Sequence, residues 1–349
     1  MNHKIAINGF GRIGRGVLRS LVESRSADVT VVAINDLAPI GTLAHLLKHD
    51  SIHGRLTAEV IVDGQNLVVD GKVIRVTAQR NPEDLPWGDV DVAFECTGHF
   101  TDRTEAARHL NNGSKRVLIS APGKGADKTV VYGVNHETLS ARDLIVSNAS
   151  CTTNCLAPLA QVLDANFGIE TGYMTTIHSY TGDQPSHDTA HKDLYRARAA
   201  ALSMVPTSTG AARALALVLP QLDGRLEGSA IRVPTPNVSM IDLVFMPKKI
   251  TTIGAVNAVM REAAEGRLKG ILSYEPEPLV SIDFNHNPHS SCFAPAQTSV
   301  TREGLVRVVS WYDNEWGFSN RMLDTGRLMA NLAAKADTVA NAVIAVAAE

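Results

Sequence analysis

The sequence predicts an α/β protein in two parts: a doubly wound, largely parallel sheet over about the first 150 residues, then an α+β part with a mixed or antiparallel sheet. Three observations predict it. A short apolar strand at the N-terminus runs straight into a glycine-rich turn and a periodic helix. Apolar runs at 90–96, 116–120 and 144–147 then alternate with polar or helical segments, the order of a parallel sheet. After residue 151 the strand-like segments come with long connections, which suits a second sheet faced by helices.

Taken in order, residues 4–8 form the strand, Gly9-Phe10-Gly11-Arg12-Ile13-Gly14 the turn, and Val17, Leu18 and Leu21 the apolar side of the helix. A dinucleotide pyrophosphate needs this arrangement. Glycines permit the tight turn, let backbone approach the phosphates and let helix and strand pack closely. A GxGxxG is weak alone, and its context strengthens it: the next strand, 29–34, ends at Asn35-Asp36. An acidic residue about 20 positions past the glycines can accept hydrogen bonds from a ribose diol; a plain turn residue is the competing reading of Asp36. The first part thus reads as a Rossmann-type sheet. Two further strands end in Thr97-Gly98 and Ser120-Ala121-Pro122-Gly123, at the carboxyl ends where such sheets bind ligands, although each also reads as an ordinary strand-to-loop turn.

Beyond residue 151, strands are expected at 171–178, 229–234, 237–245, 279–284 and 305–312. A helix at about 315–335, with Met322, Leu323, Leu328, Met329 and Leu332 on its apolar side, is long enough to pack back on the first part. The expected organisation is a dinucleotide-binding domain at 1–150 completed by that helix, a catalytic domain at 151–314, and a peripheral alanine-rich tail at 336–349, helical or frayed.

Composition narrows the function. With 33 basic and 36 acidic residues the net charge is −3, and nothing in that balance draws the chain to nucleic acid or an anionic membrane. Small-molecule partners fit better. Hydrophobic residues make up 44% with 5% aromatic, and no apolar stretch approaches the roughly 20 residues that span a bilayer. The N-terminus carries no signal-peptide pattern, and four cysteines without a disulfide framework suit a reducing compartment, so the expected location is cytoplasmic.

One of those cysteines stands apart. Cys151 lies in Ser150-Cys151-Thr152-Thr153-Asn154-Cys155, between an apolar strand candidate and the helical stretch 156–163. A thiol at the mouth of a helix meets free backbone N–H groups and the positive end of the dipole, both of which stabilise the nucleophilic thiolate. A buried, inert cysteine is the competing reading. A nucleophilic thiol needs a base or cation beside it, and His178, at the end of an apolar strand, is the candidate among 12 histidines; spacing alone does not select it. Cys155 lies one helical turn from Cys151 with no second ligand pair nearby, so it reads as packing beneath the nucleophile, and no metal site is expected. His187 and His191, in a segment rich in Pro, Ser and Asp, read as surface loop residues.

Taken together, Gly9 to Arg15, Ser147-Asn148-Ala149-Ser150-Cys151-Thr152-Thr153-Asn154-Cys155, His178-Ser179-Tyr180-Thr181, Pro206-Thr207-Ser208-Thr209-Gly210, Arg232-Val233-Pro234-Thr235-Pro236-Asn237 and Trp311-Tyr312-Asp313-Asn314-Glu315-Trp316-Gly317 resemble the phosphorylating glyceraldehyde-3-phosphate dehydrogenases of the bacterial, class I type. The match runs from about residue 3 to about 334. The resemblance implies an enzyme that oxidises D-glyceraldehyde 3-phosphate and captures the acyl group with inorganic phosphate, reducing NAD. It implies that Cys151 forms a thiohemiacetal and then a thioester, with His178 as ion-pair partner and base. It further implies that Thr181 and Arg232, with Asp183 and Arg196 nearby, hold the substrate phosphoryl group, and that Ser150, Thr152, Thr209 and Gly210 hold the attacking phosphate. Residues 207–210 also read as a helix N-cap run. For the cofactor, Gly9, Gly11 and Gly14 form the loop, Arg12 and Ile13 match pyrophosphate and adenosine contacts, and Asp36 matches the adenosine ribose. Arg80, Thr97, Ser120 and Asn314 match further contacts, Asn314 orienting the nicotinamide carboxamide. A homotetramer with the 181–201 loop at subunit contacts is also implied.

One departure concerns the cofactor. Where NAD-linked members commonly carry Leu-Pro, this chain has Thr189-Ala190, which resembles members that also accept NADP, while the charge of Asp36 argues for NAD. Two rivals stay in view: the sister erythrose-4-phosphate dehydrogenases, and an NAD-binding protein with a secondary, non-catalytic binding role. The Ser179-Tyr180-Thr181 and Thr207-Ser208-Thr209-Gly210 runs favour the three-carbon substrate, and Cys151 with His178 favours a catalyst.

Overall fold

The computed structural model describes residues 2–347, with side chains described as far as 334. The chain divides into two compact units, one of residues up to 130, 136–149 and 319 onward, the other of 131–135 and 150–318.

In the first unit the chain runs β1 (His3–Asn8), α1 (Arg12–Glu23), β2 (Val29–Asn35), α2 (Ile40–Lys48), a short ladder of β3 (His49–Asp50) and β4 (Gly54–Arg55), then β5 (Val60–Asp63), β6 (Asn66–Val69) and β7 (Lys72–Thr77). It continues through β8 (Val92–Glu95), α3 (Arg103–Ala106), β9 (Val117–Ile119), β10 (Lys128–Thr129) and β11 (Ile145–Ser147). The sheet order is β10-β11-β9-β8-β1-β2-β7-β6-β5. Every pairing from β10 to β7 is parallel, and β7, β6 and β5 form an antiparallel meander at the edge. Ile5, Ile7, Ile34, Phe94 and Leu118 are wholly buried, each contributing about 1.5–3 kcal/mol of apolar transfer. The sequence reading passes over the meander, where exposed Ile61, Val62 and Val73 stand beside buried Leu67, Val69, Ile74 and Val76 and blur the alternation. Strand order reverses between β1 and β8, which opens a crevice at their carboxyl ends.

In the second unit come α4 (Cys151–Phe167), β12 (Ile169–Ser179), β13 (Val205–Ser208), α5 (Ala211–Leu215), β14 (Leu226–Val233), β15 (Ser239–Pro247), α6 (Ile253–Glu265), β16 (Leu272–Tyr274), β17 (Ser291–Phe293), β18 (Ser299–Val300) and β19 (Val306–Tyr312). The sheet is mixed, ordered β13-β14-β12-β15-β19-β17-β16, with β18 on β19. The β12–β14 and β16–β17 pairs are parallel and the others antiparallel.

The strand expected at 279–284 is not one. Residues Ser281–Phe284 form a 3₁₀ turn, in which the Asp283 carboxylate accepts the Val280 N–H at 2.8 Å. Val280 and Ile282 face solvent, and only Phe284 is buried, stacked on Trp311 at 5.5 Å. Apolar residues at alternate positions imitated a strand without a face to bury.

The last helix, α7 (Trp316–Ala347), starts where the sequence places it and runs on into the alanine-rich segment; residues 348–349 and the tail's side chains lie outside the described residues. From residue 319 it belongs to the first unit. Small residues explain the fit: a Cβ on Gly16 would meet Ser319 Oγ at 2.5 Å, and one on Gly326 would meet the Phe94 ring at 2.3 Å.

Candidate active site

In the first unit a cleft of about 390 Å³ opens at the sheet's carboxyl edge, lined among others by Gly9, Gly11, Asp36, Arg80 and Thr97. Gly9 has φ +89°, and a Cβ there would strike Thr97 N at 2.6 Å. One on Gly14 would strike the Gly9 carbonyl at 2.2 Å, whereas Gly11 faces open space. The loop is therefore closely packed behind and bare in front, which is what a pyrophosphate at a helix N-terminus requires. The Asp36 carboxylate accepts the Phe10 N–H at 2.8 Å and the Ala38 N–H at 2.9 Å, which fixes its charge at the cleft wall.

The other expected cofactor residues are placed less directly. Arg12 opens α1, but its guanidinium is turned onto Asp50 at 2.5 and 3.2 Å. Burial pushes the Asp50 carboxyl up, yet the hydrogen bonds from Arg12, His53 and Ile52 hold it below the usual carboxylate range. Ile13 is half-exposed on the same helix, and the half-buried Ser120 donates its N–H to the Glu95 carbonyl at 3.0 Å. None of Arg12, Ile13, Gly14 and Ser120 lines the cleft; Asn8, Asn35, Gln79, Cys96, His99 and Phe100 do. Those residues carry no motif, and their only signal is a position at or just past a strand end. Beneath them the buried Glu95 accepts from Asn8 Nδ2 at 2.6 Å and Thr97 N at 2.8 Å, and lies 2.9 Å from His109 Nε2.

In the second unit Ser150 is the N-cap of α4, its Oγ accepting the Thr153 N–H at 3.1 Å, and Cys151 is the first helical residue. The preceding Ala149 has φ +57°, a left-handed conformation that costs an L-residue roughly 1–2 kcal/mol. Cys151 Sγ lies 3.5 Å from His178 Nε2, at the end of β12. On the far side of the ring, Nδ1 is 2.7 Å from the Ser179 carbonyl and 2.6 Å from Arg232 Nη1, which also donates to that carbonyl at 3.0 Å. Parallel pairing sets this up, since His178 and Arg232 are register partners on β12 and β14. Arg232 Nε is buried and without a partner among the described residues, so the guanidinium has donor capacity left for an anion.

Burial, and then the field of Arg232, pushes His178 down to about 3, against the pull of the Ser179 carbonyl. Burial pushes the Cys151 thiol up, and the Arg232 charge is the largest influence pulling it back. Arg232 is thus a second cation that favours the thiolate, beside the imidazole that the sequence reading paired with it, and its charge opposes protonation of the ring. The neutral ring has two tautomers. With Arg232 donating to Nδ1, Nε2–H points at the sulfur; with Nδ1–H on the Ser179 carbonyl, Nε2 presents a lone pair.

Thr152 Oγ1 is 2.9 Å from the Tyr312 hydroxyl, which is 2.9 Å from Thr176 Oγ1, a buried hydroxyl chain that the sequence reading missed. Arg196 donates to Asp183 at 2.7 Å and to Thr207 at 3.0 Å, and Thr181 N–H approaches Gln184 Oε1 at 3.4 Å. Thr209 Oγ1 accepts the Ala211 N–H at 3.2 Å, and Gly210, the N-cap of α5, is exposed with open space before it. His187 is exposed, whereas His191 is half-buried and accepts the Asp193 N–H at 2.9 Å. Cys155 is wholly buried, 3.5 Å from Ser291 Oγ, and burial pushes its thiol up to about 12. No metal-binding cluster occurs among the described residues.

A parallel sheet with a bare glycine loop and a second unit bearing a thiol, an imidazole and a guanidinium define the class, a dinucleotide-binding α/β protein with a cysteine–histidine pair. Residues 3–103 match the glyceraldehyde 3-phosphate dehydrogenase NAD binding domain, and residues 150–314 the C-terminal domain of the same family. Glyceraldehyde-3-phosphate dehydrogenase of Cereibacter sphaeroides is 63% identical over 95% of this chain and all of its own length, and that of Xanthobacter flavus 62% over the same shares. The Geobacillus stearothermophilus enzyme of that name is 56% identical over 94% of this chain and 98% of its own. The chain belongs to the glyceraldehyde-3-phosphate dehydrogenase family.

Replacing Arg232 with Gln removes the charge that holds the thiol down, so the midpoint of haloacetamide alkylation at Cys151 is expected to move to higher pH by a unit or so. An unchanged midpoint in the folded variant would exclude Arg232 as the thiolate's counter-charge.

Proposed function

We propose that this chain catalyses the NAD-dependent oxidative phosphorylation of D-glyceraldehyde 3-phosphate to 1,3-bisphosphoglycerate, with Cys151 as nucleophile and His178 as base. The observation that carries the reading is the 3.5 Å contact between Cys151 Sγ and His178 Nε2 at the N-terminus of α4, with Arg232 against the opposite edge of the ring. The thiolate adds to the aldehyde carbon, giving a thiohemiacetal whose developing oxyanion the Cys151 N–H at the helix start can meet. The substrate's phosphoryl group draws the unpaired edge of Arg232, with Thr181 beside it and Asp183 and Arg196 nearby. With Nδ1–H on the Ser179 carbonyl, Nε2 takes the Cys151 thiol proton, returns it to the oxyanion to form the thiohemiacetal hydroxyl, and takes it again as the carbinol hydrogen leaves.

The residues around the Gly9 to Gly14 loop fit NAD, which when bound supplies the two-electron acceptor. Asp36 would hold the adenosine ribose, Arg12, on leaving Asp50, and Ile13 would flank the phosphates, Arg80, Thr97 and Ser120 would extend the contact, and Asn314 would meet the nicotinamide carboxamide. Loss of the carbinol hydrogen with its electron pair leaves a thioester on Cys151. Inorganic phosphate, held by the hydroxyls and N–H groups of Ser150, Thr152, Thr209 and Gly210, attacks the thioester carbonyl and expels the thiolate. Neutral donors suit this transient anion because they bind it without the tight charge pairing that slows release.

A homotetramer fits the exposed apolar side chains of one loop region, Leu194, Tyr195, Leu202 and Met204, which a second copy would cover; sedimentation as a single chain would overturn it. A cytoplasmic, reducing location suits a site that depends on a free thiol. Erythrose 4-phosphate is not favoured, since the curated relatives matched along nearly the whole chain bear the three-carbon name.

Mixing the protein with glyceraldehyde 3-phosphate and NAD is expected to give a burst of NADH without phosphate, turnover with phosphate or arsenate, and neither with Cys151→Ser. Turnover in the Cys151→Ser protein would reject the thioester route. For the cofactor, the Asp36 charge would repel a 2′-phosphate, so kcat/KM with NAD is expected to exceed that with NADP at least tenfold, and Asp36→Gly is expected to narrow the gap. Equal kcat/KM with the two cofactors would show that the exposed Thr189 and Ala190 set the choice.

A further inference from the structure

Asn314, just past β19, is nearly enclosed, and its Oδ1 accepts two hydrogen bonds, from the Ser179 hydroxyl at 2.9 Å and the Ser239 hydroxyl at 2.9 Å. Both serines are buried, and the Ser179 N–H donates to Ser239 Oγ at 3.1 Å. The donor count settles which way round the amide sits. Three protons need acceptors: the Ser179 N–H goes to Ser239 Oγ, and the two hydroxyl protons go to Asn314 Oδ1. Turning the amide over would set its NH₂ group against both hydroxyls. Their protons would then be left with no acceptor except a poor 3.5 Å contact between the serines themselves. The Asn314 Nδ2 has no partner among the described residues, so it is the free donor of the cluster.

We propose that Ser179 and Ser239 are positioning residues that lock the Asn314 amide with its NH₂ group presented to the carbonyl oxygen of the nicotinamide carboxamide. An amide free to turn could offer either a donor or an acceptor, and a carboxamide could answer either. Locking one partner selects the carboxamide oxygen, rather than its NH₂ group, as the atom that Asn314 would meet. The proposal rests on the reading above that Asn314 meets the nicotinamide half of NAD. Ser179 also ties this lock to the base, since its carbonyl is the group that lies 2.7 Å from His178 Nδ1.

The test is calorimetric titration of the full, cofactor-free chain with NAD and with ADP-ribose, which carries every part of NAD except the nicotinamide. Ser179→Ala is expected to weaken NAD about fivefold, the loss of one buried neutral hydrogen bond, and Ser179→Ala with Ser239→Ala by more, with ADP-ribose affinity unchanged throughout. Unchanged ADP-ribose binding also certifies the fold of each variant. Equal weakening of both ligands in the variants, or variants that bind NAD as tightly as a wild-type chain that binds it, overturns the lock. A wild-type chain that binds neither ligand overturns the cofactor reading itself.

Discussion

A thiol, an imidazole and a guanidinium share one pocket of the second unit, where burial shifts the first two and the field of the guanidinium acts next on both. Arg232 pulls the Cys151 thiol down and pushes the His178 imidazole down with it. One charge therefore serves two ends: it favours the thiolate, and it opposes protonation of the ring, whose uncharged form is the one that can take a proton. Buried charge has a cost, and a guanidinium with an unpaired buried Nε leaves part of that cost outstanding until an anion arrives. In the proposed reaction the substrate's own phosphoryl group relieves it.

Backbone geometry holds this arrangement in place. His178 and Arg232 face one another because β12 and β14 pair in parallel with those two residues in register, and a slip of one residue would send either side chain to the opposite face of the sheet. The nucleophile comes from a helix start instead, where Ser150 caps the first turn and the N–H groups point at the sulfur. Tyr312, on β19, sets the edge of its ring against His178 and bridges Thr152 and Thr176 through its hydroxyl. Three strands and one helix thus converge on a single sulfur. A rigid sheet supplies such precision more readily than a loop.

Legibility followed the length scale of each signal. The glycine turn could be read because Gly9, Gly11 and Gly14 act within a few residues of one another, and Cys151 because its strand-to-helix setting is local. The meander at 60–77 was missed because exposed Ile61, Val62 and Val73 mix with buried Leu67, Val69, Ile74 and Val76 and blur its alternation, and the strand expected at 279–284 was an alternation with no sheet to join. Glu95 with Asn8, and Thr176 with Tyr312, link positions 87 and 136 residues apart. No spacing rule connects residues so far apart, and neither pair forms part of a contiguous motif.

By itself the sequence determined the two kinds of sheet, the glycine loop, the nucleophile and the chemistry that its residue types permit, because each is set by neighbours along the chain. Only the tertiary structure decided that Arg232 lies against His178, that Arg12 is engaged by Asp50, and that two serines hold the Asn314 oxygen. Those are facts about charge and hydrogen bonding between segments brought together by folding. The energy of a buried charge depends on what surrounds it in space, and the order of residues does not state that.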